Sequence, residues 1–374
     1  MSEIVLCTHS PWRASGLGTF ADNFLKGIKK HYSVSCIAST HFRPPIEYAG
    51  CTVYGRRKHE EGYDALDNVL RKENPKYLVT AWDVGIQKEF INIIKDYPKL
   101  KWVPYTAIDS LNVPHWMPPC LLGAHKVVSM SEYGANMLNQ SGVDTVPIPL
   151  GVDTNLFKPI DMSEKLATSG FADKFVVLSV GINQRRKMWD RLIKGYSIFA
   201  RTRPDSRFLM HTDMAYTEDN GYHIPTYLKE YGVENKCAFT DSQVSKFWRD
   251  DIPQTVMNEL YNSAKVTIFN GAEGWGQPML ESLAAGVPVI VGNQCSAQEL
   301  VGTNRGKIVP LNDYFSGRYA LAHGVVSADG IANALTEYLD DSALLKKHSI
   351  NARRFAKGYA WSNIINKWIT LLDE

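Results

Sequence analysis

The stretch Phe269-Asn-Gly-Ala-Glu-Gly-Trp-Gly-Gln-Pro-Met-Leu-Glu-Ser-Leu-Ala-Ala-Gly-Val-Pro-Val-Ile-Val291 decides the fold. It reads as a strand end, a glycine loop, a short helix and a second strand. The apolar run Val266–Phe269 stops at the small, polar Asn270 and Gly271. Gly274 and Gly276 let the backbone approach a ligand where a side chain would stand in the way. Pro278 suits the first turn of a helix, where its missing N–H costs nothing. Gly286 stops that helix, and Val287–Val291 is a β-branched run suited to a buried parallel strand. Backbone N–H groups and a positive helix end therefore face whatever lies over Gly274, Trp275, Gly276 and Gln277, an arrangement that suits an anion.

Two carboxylates flank this loop, Glu273 before the glycines and Glu281 in what reads as the first helical turn, with seven residues between them. A carboxylate at 281 can accept hydrogen bonds from vicinal hydroxyls, as one does on a ribose. A lone glutamate pair would be read as a capped helix with two solvated acids. The glycines, the proline and the following Ala-Ala-Gly-Val-Pro-Val-Ile make the pattern more specific. It resembles the donor-site signature of retaining glycosyltransferase family 4, the group 1 glycosyltransferases of GT-B fold. The resemblance implies that Glu273 contacts a sugar and Glu281 the ribose of a nucleotide-sugar.

Composition narrows the classes. A chain of 374 residues is long enough for two domains of about 100–200 residues each. Hydrophobic content of 44% and charged content of 21% are those of an ordinary globular protein. Lysine and arginine number 41 against 39 acids, so no strong field selects nucleic acid. The six cysteines (Cys7, Cys36, Cys51, Cys120, Cys237, Cys295) are scattered without a Cys-x-x-Cys pair, which argues for a reducing compartment and against zinc or a disulfide framework. The start, Met1-Ser-Glu-Ile-Val-Leu6, shows no signal-peptide pattern, and no apolar run approaches the ~20 residues that span a bilayer. A cytoplasmic protein is expected.

Read in order, strands alternate with helices. Ile4–Cys7 reads as a strand, Ala14-Ser-Gly-Leu-Gly-Thr-Phe20 as a glycine loop, and Thr19–Lys30 as a helix with Phe20, Phe24, Leu25 and Ile28 at helical spacing. Gly16, Gly18 and Ala21 formally fit the dinucleotide fingerprint, so a nicotinamide enzyme has to be weighed. Roughly nine residues separate the strand from Gly16, whereas the fingerprint needs a tight turn. The next strand, Val34–Ser39, leads to Thr40-His41 where an acid should meet the ribose. The loop instead resembles the family's N-terminal glycine loop, which lies near the donor phosphates and the acceptor.

Further units follow: a helix near Tyr63–Lys72, strand Tyr77–Ala81, a helix near Gln87–Lys95, strands Trp102–Thr106 and Lys126–Met130, and a helix capped by Ser131. This alternation implies a mainly parallel, doubly wound sheet with ligands outside the carboxyl ends of its strands. Trp82-Asp83, Ile108-Asp109-Ser110 and Ser131-Glu132 fall at such ends. The family often carries His-Asp where this chain has Ile108-Asp109. The resemblance thus keeps Asp109 as a site residue, with His115 the nearest substitute for the histidine, although a lone histidine is more often structural.

Pro147–Pro159, punctuated by proline and without helical or strand period, reads as a linker and is similar to the family's interdomain segment. Phe175–Val180 is nearly all apolar and is expected to be a central strand. Arg185, Arg186 and Lys187 follow it, just before a helix. Fixed positive charge there would stabilise a leaving nucleoside diphosphate, although a charge run is commonly a solvated loop. Arg186 and Lys187 match the family's Arg-Lys pair. Ile182 stands where its first arginine usually is, and Arg185 is the candidate replacement. His211, Thr212 and Asp213 close the next strand and are candidates to line the donor site. The helix Thr255–Ser263, with Met257, Leu260 and Tyr261 on one face, is similar to the family helix beside the nucleotide base. The polar stretch Asn312–Asp329 is expected to be a mobile lid. The tail, with Trp361, Ile364, Ile365, Trp368 and Leu371, is one amphipathic helix. Asp250-Asp251 are adjacent acids without metal-ligand spacing and read as a loop.

The fold expected is α/β: two Rossmann-like doubly wound domains facing a cleft, GT-B in kind, with the terminal helix crossing back to the first. The domains are placed at residues 1–155 (acceptor), 156–358 (nucleotide-sugar donor) and 359–374 (returning helix). The function implied is retaining transfer of a hexose from a UDP- or GDP-sugar to a hydroxyl of a glycan, lipid or small molecule. Glu273 and the amides of Trp275–Gln277 would hold the sugar, Glu281 the ribose, and Arg185, Arg186 and Lys187 the phosphates. No metal or other cofactor is expected, since these cations already neutralise the phosphates. With no obvious nucleophile, the family's front-face transfer is implied, the leaving phosphate taking the acceptor's proton while water is excluded on closure. A nucleotide-sugar epimerase would need an acid/base pair not found here. A bilobal sugar-binding module would have no use for the three cations, and a degenerate transferase stays open. Lys26, Lys29, Lys30 and His31 form a basic rim that suits either peripheral membrane contact or plain solvation. Trp12, Trp82 and Trp116 are candidates to stack on an acceptor sugar, with aromatic core as the default.

Overall fold

The computed structural model describes residues 1–41, 44–59, 61–214, 221–240 and 252–374. Two units are formed. One comprises Met1–Ile108, Asn112–Gly151 and Trp361–Glu374, the other Asp109–Leu111 and Val152–Ala360. The acid pair Asp250-Asp251 lies outside the described residues.

The first unit is built on β1 (Ile4–Thr8), β2 (Val34–Ala38), β3 (Ile46–Tyr48), β4 (Cys51–Gly55), β5 (Tyr77–Ala81), β6 (Lys101–Thr106), β7 (Val127–Ser129) and β8 (Thr145–Pro147). Their order in the sheet is β3-β4-β2-β1-β5-β6-β7-β8. Every pairing is parallel except β3 with β4, where Ile46 faces Val53. β1, β2 and β5 are buried along their whole length, as strands with helices on both faces must be. The terminal helix Trp361–Asp373 belongs to this unit. Its Trp368 is fully buried, with ring centroids 5.8, 5.3 and 5.0 Å from Phe20, Phe24 and Tyr105. Tyr77 donates from its hydroxyl to the Leu372 carbonyl at 2.7 Å, which locks the end of the helix.

The second unit carries β9 (Phe175–Val180), β10 (Ser206–His211), β11 (Cys237–Phe239), β12 (Val266–Phe269), β13 (Val289–Gly292) and β14 (Gly306–Val309). They form a parallel sheet in the order β11-β10-β9-β12-β13-β14, with β9 central as its apolar sequence requires. The helices Trp189–Ala200 and Ala328–Asp340 cover one face, packing Trp189, Ile193, Tyr196, Phe199, Ile331 and Leu335 over Val177 and Phe208. This is the α/β, two-sheet architecture expected.

Three local expectations are corrected. The helix expected from Thr19 begins at Gly16, because the Ser15 hydroxyl caps it by accepting from the Gly18 N–H at 3.0 Å; the glycines lie in a first helical turn, not in a loop. The helix beyond Trp275 starts at Gln277, so Glu281 is its fifth residue, just past the first turn in which the sequence context put it. The polar stretch Asn312–Asp329 contains no free lid: β15 (Leu311–Ser316) and β16 (Ala322–Val326) pair antiparallel, and the helix Ala328–Asp340 follows. Its polarity reflects the exposed strand β15, whose neighbour β16 is largely buried.

Candidate active site

Strand order locates the site before any side chain is considered. In the second unit the chain winds outward from β9 to β10 on one side and from β12 to β13 on the other. Such a reversal leaves a crevice at the carboxyl ends of the two central strands, where α/β sheets bind ligands. The segment leaving β9 carries Arg185, Arg186 and Lys187; the segment leaving β12 is the glycine-rich loop. The two motifs singled out in the sequence are thus brought side by side.

Their joining is specific. Arg185–Lys187 form one 3-10 turn, closed by Met188 in a left-handed conformation, and the helix Trp189–Ala200 follows. The Asn270 side chain donates to the Arg186 carbonyl at 2.7 Å, fastening this turn to the end of β12. Arg186 Nη1 donates to the Ala272 carbonyl and lies 3.3 Å from Glu273 Oε2, while its Nε lies 3.3 Å from Asp109 Oδ2. Lys187 Nζ donates to Glu273 Oε1. Burial alone would raise the Glu273 carboxyl, but Lys187 and Arg186 outweigh it and hold the group below its ordinary range. Burial, with Arg186 beside it, lowers Lys187, and Glu273 pulls the other way. Asp109, Arg186, Lys187 and Glu273 therefore form one ion cluster of two cations and two carboxylates. Arg185 is placed apart from it: exposed, with its guanidinium 4.9 Å above the Phe315 ring.

The loop after Glu273 is fixed from behind. Ser296 donates from its hydroxyl to the carbonyls of Glu273 at 3.1 Å and Trp275 at 2.6 Å. Gly274 is buried, and Trp275 is buried against Tyr359 with ring centroids 5.3 Å apart. Gly276 caps the next helix with φ +98, and a Cβ there would fall 2.2 Å from the end of Met279. Glycine is thus demanded by the backbone and by packing at this position, in addition to any ligand. Gln277 and Pro278 open the helix, and Glu281 lies one turn on, accepting from the Tyr261 hydroxyl at 2.9 Å and from Gln277 Nε2 at 3.3 Å. Burial pushes the Glu281 carboxyl up to about 7 despite these two donors. His211, at the end of β10, is buried with Nδ1 2.7 Å from the Thr240 hydroxyl, and burial lowers it to about 4.

In the first unit, Gly16 and Gly18 differ. A Cβ on Gly18 would lie 2.1 Å from the Arg13 carbonyl oxygen, whereas one on Gly16 would meet only Leu150 at 3.9 Å. Gly18 is required by the fold; Gly16 has room for a side chain. Next to them His9, at the end of β1, has Nδ1 2.7 Å from Ser15 Oγ and its ring edge-on to Trp82 at 5.1 Å. Burial, with Arg13 adding to it, lowers His9 to about 3. Trp82 is buried, Trp12 is 37% exposed, and His115 is exposed. On the basic rim, Lys26 pairs with Asp22 at 2.7 Å and Lys29 donates to the Ala49 carbonyl, while Lys30 and His31 are exposed. No helix among the described residues is long and apolar enough to cross a membrane.

Sequence reasoning passed over His9, Ser296 and His323. His323 lies on β16, and both its ring nitrogens are buried without a hydrogen-bond partner among the described residues. None of the three stands in a local pattern that marks it; Ser296 and His323 are brought to the glycine-rich loop and its cations only by the sheet.

The profile of the family described as glycosyl transferases group 1 matches residues 162–355, more than half of the chain. The chain belongs to this family. Mannosylfructose-phosphate synthase of Agrobacterium fabrum is 29% identical over 152 residues, covering 38% of this chain and 31% of that protein, so the likeness spans under a third of the relative's length. Among solved structures, sucrose-phosphate synthase from Thermosynechococcus elongatus superposes with a TM-score of 0.80 at 16% identity, over 99% of this chain and 98% of that one. Anabaena HepE in complex with UDP and glucose gives 0.76 at 16% identity, over all of both chains. The E. coli trehalose-6-phosphate structure bound with UDP-2-fluoro glucose gives 0.72 at 9% identity, over 99% and 98%. At these identities the likeness is one of fold: both sheets, the hairpin and the returning helix are covered.

Proposed function

We propose that the chain is a retaining glycosyltransferase that moves a hexose from a nucleoside-diphosphate sugar, UDP- or GDP-linked, to a hydroxyl acceptor. The observation that carries the reading is the joining of two cations to Glu273 at the carboxyl ends of β9 and β12, one short loop away from the half-buried Glu281. Arg186 and Lys187 suit the two phosphates of a donor. Glu281, held by Tyr261 and Gln277, suits a ribose diol, and donor hydroxyls there would favour its ionised form. Glu273 and the Gly274–Gln277 backbone suit the hexose. UDP is the nucleotide to try first, because fold relatives carry it, HepE and the trehalose-6-phosphate structure among them.

In the transfer itself, the bond from the anomeric carbon to the β-phosphate oxygen breaks and a bond to the acceptor oxygen forms on the same face. The acceptor's proton passes to the departing phosphate oxygen, and the nucleoside diphosphate leaves. Arg186 and Lys187 would stabilise the charge that develops on that phosphate, and this fixed charge is the main contribution asked of the protein. No metal is required in this scheme, so activity should survive EDTA. The acceptor would be chosen by the first unit, with His9, Ser15 and Gly16 as the groups to vary.

The test is a thermal-shift panel of UDP, GDP and their hexose conjugates on wild type and Glu281→Ala. A ligand at about 100 times its Kd stabilises the folded state by about 2.7 kcal/mol. One nucleotide should raise the wild-type midpoint by several degrees and leave the variant unmoved. A folded wild type that responds to none of them would remove the reading.

A further inference from the structure

The hairpin β15–β16 is tied at three points to the segments around the ion cluster. Leu111, two residues after Asp109, donates its N–H to the Ala322 carbonyl at 2.7 Å. The Asn270 side chain donates to the Arg186 carbonyl at 2.7 Å and the Gly324 carbonyl at 3.3 Å, and accepts from the Val326 N–H at 3.2 Å. The Gln294 amide both donates to the Gly324 carbonyl at 3.3 Å and accepts from its N–H at 2.8 Å. Between these anchors stands His323, whose ring centroid is 5.4 Å from that of Phe315, the ring beneath Arg185. The charges that act on His323 among the described residues are Asp109 and Arg186, the outer members of the cluster.

His323 is only 7% exposed, and both ring nitrogens are buried with no partner among the described residues. The other buried histidines are satisfied: His41 on the Pro44 carbonyl, His211 on Thr240, His348 on Tyr338. An orphaned imidazole in a buried position costs stability and calls for a reason. The cluster beside it supplies one. Its two cations are shared with two carboxylates, so a diphosphate entering here brings negative charge that Arg186 and Lys187 offset only in part. A neutral imidazole at the edge can offset part of it by taking up a proton, at which point both nitrogens become donors.

We propose that His323 is a further residue of the donor-phosphate site, hydrogen-bonding through its ring nitrogens to the phosphates held by Arg186 and Lys187. The inference rests on the nucleoside-diphosphate reading of that cluster. Without ligand the imidazole is kept neutral by burial, with Arg186 working in the same direction and Asp109 against it. A bound diphosphate favours the charged form, so binding takes up a proton. Affinity therefore strengthens as pH falls towards the ordinary histidine range, and this gain is lost as pH rises past the bound-state value.

The experiment is calorimetric titration of UDP, GDP, uridine and guanosine into wild type, His323→Ala and His323→Gln between pH 5.5 and 8.5. Loss of one charge-assisted hydrogen bond should weaken diphosphate binding by roughly ten- to a hundredfold in His323→Ala and leave the nucleosides unchanged. His323→Gln keeps a donor without the proton, so it should recover part of the affinity at high pH and none of the extra gain at low pH. Comparison of the two curves removes the nucleotide's own titration. Diphosphate binding that is equal in all three proteins at every pH overturns the inference while leaving the donor site standing. A wild type that binds neither UDP nor GDP overturns both, and is told apart by that control.

Discussion

At the scale of single residues, Glu281 states the design most directly. A carboxyl is buried beside a tyrosine and a glutamine, and burial raises it from its ordinary 4.5 to about 7. Between those values the folded chain holds a proton that the unfolded chain has shed. The stabilising contribution is complete below 4.5 and is lost as pH rises through about 7. Glu281→Gln removes this dependence. We expect it to raise the stability of the ligand-free protein at pH 8.5 by about 1–3 kcal/mol, and to change it little at pH 5. Urea melts at the two pH values read the difference, and an equal effect at both would contradict the assignment. Glu273, Arg186 and Lys187 were legible in the sequence because each sits in a short pattern with a physical purpose. Arg185 was not: its neighbours in sequence are the cluster, yet its guanidinium rests on Phe315, a contact made across more than a hundred residues. His323 had no local pattern at all.

At the scale of elements, the strands buried on both faces were read almost to the residue, because an uninterrupted apolar run bounded by polar residues leaves little choice. β5 and β9 have the ends expected. The failures share a cause. β3 and β15 are exposed and polar, so their periodicity carries no burial signal. The helix Ser342–Lys357, with only His348, Ala352 and Ala356 buried, is likewise quiet in sequence. Caps set the helix starts at Ser15, where the start moved from the one expected, and at Gly276. Gly276→Ala tests the second of these. A non-glycine at φ +98, with its Cβ against Met279, should cost about 1–3 kcal/mol, read as a lower urea midpoint with unchanged m. Gly16→Ala, which has room for its methyl, should leave stability within about half a kcal/mol. Equal losses for the two would mean that the cap geometry is misjudged.

At the scale of the whole molecule, both sheets and the terminal helix were foreseeable, since alternation of element types and one amphipathic tail prescribe them. What the tail is worth can be measured. Trp368 fills a space among Phe20, Phe24 and Tyr105, and truncating it to alanine should destabilise the first unit by about 3–5 kcal/mol. Amide exchange resolved by segment should show protection lost in β1 and β6 and retained in β9 and β12. Protection retained throughout would show the tail to be dispensable. The membership of Trp361–Glu374 also sets an order on the ribosome. The first unit lacks this helix until Trp361–Glu374 has been made, and by then every residue of the second unit has been synthesised. At roughly 5–20 residues per second the nascent first sheet waits on the order of tens of seconds, its aromatic pocket open, for a helix that follows the second unit in the chain. Vectorial synthesis therefore leaves the first unit unfinished until the second has been made.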